Sequence, residues 1–226
     1  MMRRMGTLYL VRHGQASFGA ADYDQLSELG TRQCRLLGDY WRARGQRFDA
    51  VLTGSLKRHA QSFAAIAEGL GAAPEPVVWP GLNEYDSEAV IHAIHPEPLA
   101  KPVDAEMVRH HFRLLRAGLL AWMRGETRPA GMHSYAEFAA GVAGALEHVR
   151  QHCKGEVLIV SSGGPIATAV GQVLGTSAEM SIELNLRIRN SAVSEFSFNP
   201  KRHLLQSFNH VPHLDSLEYR EMATYA

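Results

Sequence analysis

Three short apolar runs constrain this chain more than any other feature, because each ends in an unusual polar cluster and each is followed by a helix-spaced pattern. They are Leu8–Val11 before Arg12-His13-Gly14, residues 49–53 before Ser55 to Arg58, and Glu156–Ser161 before Ser162-Gly163-Gly164. Strands that alternate with helices in this way pair in parallel, since a crossover helix returns the chain to the same end of the sheet. The fold class that follows is α/β, a three-layer α/β/α sandwich.

The intervening patterns fill in the layers. A first helix from about Ser27 to Arg44 carries Leu29, Leu37, Tyr40 and Trp41 on one side, and a second from Ser55 carries Phe63, Ile66, Ala67 and Leu70. A strand at Val77–Trp79 leads into a mostly helical stretch, 86–151, read as an insertion or lid and punctuated by Pro96, Pro98, Pro102 and Pro129. Within it Val108, Phe112, Leu115, Leu119 and Trp122 form an apolar stripe, while Arg109, Arg113 and Arg116 form a face assigned to solvent. Ser134 and Glu137 match a capping box for a further helix carrying Phe138, Val142, Leu146 and Val149. After Glu156–Ser161, read as a central strand, Pro165 is placed at the first position of a helix. Runs 192–198 and 203–209, joined by Asn199-Pro200-Lys201-Arg202, form a hairpin at the sheet edge. No repeat or linker divides the chain, so residues 1–226 are read as one domain.

Lys plus Arg equals Asp plus Glu at 23 each, so no global field draws the protein to nucleic acid or to an anionic membrane. The apolar run after Met1-Met2-Arg3-Arg4 is too short for a signal peptide, and no run spans a membrane. Cys34 and Cys153 lie far apart without CxxC spacing, which suggests neither disulfide nor zinc and fits the cytoplasm. The histidine pairs 92/95, 110/111 and 210/213 lack an HExxH arrangement, so no metal or other cofactor is expected.

Ligands of open α/β sheets sit outside the carboxyl ends of the strands, where the three polar clusters fall. Arg12 and Arg58 can each offer a planar fork to phosphate oxygens, and the helix start at Gly163 to Pro165 offers backbone N–H groups. His13 stands among them with an imidazole able to attack phosphorus, and Gly14 is read as allowing a sharp turn and close approach to the ligand. Glu84, after another strand end, is the nominated proton donor.

Five segments carry a resemblance to the histidine phosphatase superfamily, also called phosphoglycerate mutase-like. They are Leu10 to Gln15 (Leu-Val-Arg-His-Gly-Gln), Leu26 to Gln33, Ser55-Leu56-Lys57-Arg58, Leu82-Asn83-Glu84, and Val157 to Ile166, in the family's order. The resemblance implies a phosphohistidine on His13, phosphate held by Arg12 and Arg58, and Glu84 as acid and base, with no metal; Ser162 and Gly163, at the strand end and helix start, are read as further phosphate contacts. It also implies a second histidine in a Ser-His-Gly sequence, where this chain has Ser161-Ser162-Gly163. That departure removes a donor able to carry charge, and the loss of one such group typically costs about 10²–10³ in rate. His59, beside Arg58, is the candidate to compensate.

The expected activity is a phosphomonoesterase acting on a small phosphorylated substrate, with specificity set by the lid and by Gln15, Ser17 and Phe18. Two alternatives stay open: a phosphate-binding protein without turnover, and a phosphoglycerate mutase-type phosphotransferase. A serine hydrolase built on Ser162 is disfavoured, because the G-x-S-x-G elbow needs glycine where Val160 stands. Oligomeric state and physiological substrate are not legible in the sequence.

Overall fold

The computed structural model describes residues 5–17, 24–100 and 103–225. In chain order these form β1 (Gly6–Arg12), α1 (Glu28–Ala43), β2 (Ala50–Thr53), α2 (Lys57–Leu70), β3 (Val77–Val78), α3 (Ser87–His92), α4 (Ala105–Met123), α5 (Tyr135–His152), β4 (Glu156–Ser161), α6 (Gly163–Leu174), α7 (Ala178–Asn185), β5 (Val193–Asn199) and β6 (Arg202–His210). The strands make one sheet in the order β3-β2-β4-β1-β5-β6. The first four run parallel, and β5 and β6 are added antiparallel as a hairpin at one edge.

The strand sequences look uniformly apolar, yet their side chains divide by the two-residue period of a pleated strand. Leu8, Leu10, Leu52, Val157 and Ile159 face α5 and α6, whereas Val11, Val51, Leu158 and Val160 face α1 and α2. Burial on both faces explains the continuous apolar runs and produces the expected three layers. α1 begins where the Ser27 hydroxyl accepts from the Gly30 amide at 3.0 Å. α5 begins at the expected capping box: Glu137 accepts from the Ser134 amide at 2.8 Å, and the Ser134 hydroxyl accepts from the Glu137 amide at 3.3 Å.

Several expectations change. The stretch 86–151 is not uniform: Val142, Ala145, Leu146 and Val149 of α5 belong to the core over the sheet. A separate cluster joins α3 and α4 to α7 through Val90, Ile91, Leu115, Leu119, Trp122 and Ile182. The α4 stripe is buried only from Leu115 onward, and Val108 is 41% exposed. Arg109 and Arg113 pair with Glu106 in solvent, while Arg116 meets Glu183 of α7 at 2.7 Å. Pro165 is the third residue of α6, still within the first turn where its missing N–H has no intrahelical role. α2 starts two residues after Ser55, and α7 was not foreseen. Among the described residues no helix is long and apolar enough to cross a membrane.

The split of 86–151 has a direct test. Leu146→Ala opens a cavity in the sheet-facing core and is expected to cost about 2–5 kcal/mol. Val108→Ala is expected to stay within about 0.5 kcal/mol. Urea unfolding of both variants checks the difference.

Candidate active site

The centre of the sheet ends with Arg12 opposite Ser161 across the parallel β1–β4 pair, and the His13 amide donates to the Ser161 carbonyl at 2.8 Å. His13 and Ser162 therefore leave the sheet side by side. His13 Nδ1 lies 2.7 Å from the Gly14 carbonyl oxygen. A carbonyl only accepts, so the proton sits on Nδ1 and the lone pair on Nε2. Burial, then the charges of Arg12 and Arg58, hold the His13 pKa well below its usual value, which keeps the ring neutral.

Gly14 has a reason that the sequence does not show. A Cβ there would stand 2.2 Å from the Gly30 carbonyl oxygen, so the loop after His13 rests main chain to main chain on α1. Gly14 does not adopt the left-handed conformation.

The two arginines arrive from different elements. Arg12 ends β1, is 7% exposed and donates through Nη1 to the Ile188 carbonyl. Arg58 lies in the first turn of α2, is 8% exposed and meets Asp24 at 2.8 Å. Asp24 also accepts from the Lys57 amide at 2.9 Å, which satisfies a helix start whose own N-cap, Leu56, offers no side-chain acceptor. Sequence reading missed Asp24, since nothing local signals a carboxylate that caps a helix 33 residues downstream.

Glu84 is set by a clasp. Asn83 accepts from the Ser55 amide and donates to the Ser55 hydroxyl, both at 2.7 Å, while the Ser161 hydroxyl donates to the Leu82 carbonyl at 2.6 Å. The Glu84 carboxyl then accepts from the Gly164 amide, 3.1 Å from each oxygen. A Cβ on Gly164 would lie 2.1 Å from Glu84 Oε1, so only glycine admits this approach. Burial raises the Glu84 pKa; the Gly164 bond and the charges of Arg58 and Arg12 oppose that without cancelling it. The Gly164 amide, expected to face a ligand, is thus committed to Glu84, and Gly163 is the first residue of α6.

Ser162 and His59 form a buried pair, Oγ to Nε2 at 2.7 Å, and the His59 ring centroid lies 5.9 Å from that of His13. Gln15 is tied into the start of α1: its side-chain oxygen accepts from the Ser27 hydroxyl at 3.0 Å. Ser17 donates its amide to the Gln25 carbonyl at 2.8 Å, and Phe18 lies outside the described residues. Tyr85 and Gly164, next to Glu84, help line a recess with Trp122, Tyr135, Phe138 and Asn185. Among the described residues no three His, Cys, Asp or Glu gather as a metal ion would need.

The family model described as histidine phosphatase superfamily (branch 1) matches residues 8–211. The chain belongs to this superfamily. A curated relative, the 2,3-bisphosphoglycerate-dependent phosphoglycerate mutase of Methylobacterium sp. (strain 4-46), is 37% identical over 87 residues, 35% of this chain and 41% of that protein. The fold is shared with the phosphoglycerate mutase of Bacillus anthracis str. Sterne, with TM-score 0.65, 16% identity and coverage of 92% of this chain and 95% of that one. It is shared also with the phosphoserine phosphatase of Entamoeba histolytica solved with 3-phosphoglyceric acid, with TM-score 0.64, 21% identity and coverage of 93% and 100%. Phosphatases and mutases are thus the superfamily neighbours of this chain.

Neutral histidines buried around the site make the fold acid-sensitive. The pKa of His59 is pulled down to about 3 by burial and Arg58, and that of His213 to about 3 by burial and Arg189; His13 shifts the same way. The unfolded chain takes up these protons near pH 6.5 and the folded chain does not. The resulting stability is whole above about pH 6.5 and is lost as pH falls through the lowered pKa values. The urea midpoint is expected to drop steadily from pH 7 to pH 4; a flat profile would contradict the buried neutral state.

Proposed function

We propose that the chain is a phosphomonoesterase that forms a phosphohistidine on His13. One observation carries this reading: the Nε2 lone pair of a buried, neutral His13 stands under the charges of Arg12 and Arg58, which act also on Glu84, a carboxyl whose pKa burial raises. In the first step Nε2 attacks phosphorus, the bond from phosphorus to the leaving oxygen breaks, and that oxygen takes its electron pair and the Glu84 proton. In the second, water attacks the phosphohistidine, ionised Glu84 takes a water proton, and the N–P electron pair returns to Nε2. The balance is one water consumed and one alcohol and one phosphate formed.

Arg12 and Arg58 serve the phosphoryl oxygens, where fixed positive charge in a water-poor site counts most. The substrate is a small phosphorylated molecule. The stretch 37% identical to a phosphoglycerate mutase supports a second reading, phosphoryl transfer within a phosphoglycerate that needs a bisphosphorylated primer.

Release of free phosphate from an aryl phosphate separates the readings, and His13→Ala is expected to abolish it. A wild type that binds phosphate without releasing it would overturn the phosphatase assignment. The pH profile of kcat/KM follows from the same groups. Protonation of His13 ends activity on the acid side, below the usual histidine value; ionisation of Glu84 ends it on the alkaline side, above the usual carboxylate value. A maximum on the acid side of neutrality is expected, and activity rising through pH 8 would remove Glu84 from the acid role.

A further inference from the structure

The His59–Ser162 pair is used by nothing in the mechanism above. We propose that His59 is a positioning residue that acts through Ser162, holding the Ser162 hydroxyl as a donor to a phosphoryl group in the His13 pocket. The inference rests on the preceding reading only for the presence of an oxyanion there.

Ser162 precedes α6 as its N-cap, yet its hydroxyl caps nothing. The hydroxyls of Ser27, Ser134 and Ser177, at the same position of α1, α5 and α7, each accept from a first-turn amide. The Ser162 oxygen is committed instead to His59 Nε2, with both residues at 0% exposure. His59 Nδ1 has no hydrogen-bond partner among the described residues. An unmet buried N–H is the rarer and costlier state, so the proton belongs on Nε2, which donates to Ser162 Oγ. The serine proton is then turned away from the ring and engaged by no acceptor among the described residues. Strand register brings Ser162 out of the sheet beside His13.

A second observation shows that the ring has a built seat. A Cβ on Gly54 would lie 2.2 Å from His59 Nδ1 and 2.7 Å from its Cε1, so the ring fills the space of a side chain at position 54. Gly54, His59 and Ser162, contributed by the end of β2, by α2 and by the end of β4, work as one unit. That unit brings an imidazole to the strand end where the superfamily resemblance leads one to expect a histidine in the chain itself. Because burial and Arg58 hold His59 neutral, the pair supplies an oriented hydrogen bond rather than a charge.

The test compares wild type with Ser162→Ala, His59→Phe, His59→Gln and the Ser162→Ala/His59→Phe double variant. It reads kcat/KM for 4-nitrophenyl phosphate and calorimetric affinity for orthovanadate. Ser162→Ala and His59→Phe are each expected to lower both readouts about 10–100-fold, the range of a hydrogen bond to a charged group. The double variant is expected to be no worse than either, and His59→Gln, which keeps an N–H donor, to recover most of the loss. A purely structural histidine would give an unrelated loss, without rescue by Gln.

Losses that multiply in the double variant, or an unaffected His59→Phe, overturn the pairing while leaving the phosphatase reading intact. Vanadate binding that depends on both residues, in a wild type that hydrolyses nothing, upholds the pairing and removes the phosphatase reading. A wild type that binds no vanadate overturns both.

Discussion

The hydrogen bond from the His13 amide to the Ser161 carbonyl is the last rung of the ladder between β1 and β4, and the geometry of the site is measured from it. A parallel register shifted by one residue would turn every side chain of the strand to the other face, exchanging the Leu8 and Leu10 face for that of Val11. The two apolar faces, each already filled by a pair of helices, forbid that slip. The hydrophobic sorting of the strands thus fixes where the imidazole emerges, with no contribution from the imidazole itself.

Around that point the protein buries groups that each carry a desolvation cost. Two guanidinium groups lie under 10% exposed, one held by Asp24 and the other by a main-chain carbonyl, so their charge is retained while their orientation is restricted. Burial first, and then these charges, push His13 towards neutrality, and burial with Arg58 does the same for His59. One electrostatic arrangement therefore suits the proposed anion and keeps the His13 lone pair available, and the chain's balanced net charge makes the field responsible a local one.

What was legible in the sequence, and what was not, divides by range of interaction. Strand ends followed by Arg12-His13, Arg58 and Ser162-Gly163 could be read because a residue's position at the end of an apolar run is local information. Asp24 with the α2 start, Asn83 with Ser55, and His59 with Ser162 join residues that the chain separates by 33, 28 and 103 positions, and no periodicity announces them. The burial of α5 escaped for a related reason. Its pattern marks an apolar face, but only the fold says whether the sheet or a neighbouring helix covers it. The capping box at Ser134, by contrast, lies within a single helical turn, Ser134 to Glu137, and is legible in the sequence.

The bond between Glu84 and the Gly164 amide ties a side chain able to exchange protons to the first turn of a helix. Such a group cannot swing. Its two oxygens are held by main chain, with a glycine beneath them that leaves no slack. Under the proposed mechanism, motion along the reaction path is made by the substrate, whose leaving oxygen travels to a stationary acid. Helix polarity also favours the ionised form at that position, so each proton given up is partly repaid by the helix itself. Selectivity under that mechanism is a question of trajectory: a molecule that binds its phosphate well but cannot bring its bridging oxygen to Glu84 would occupy the pocket as an inhibitor.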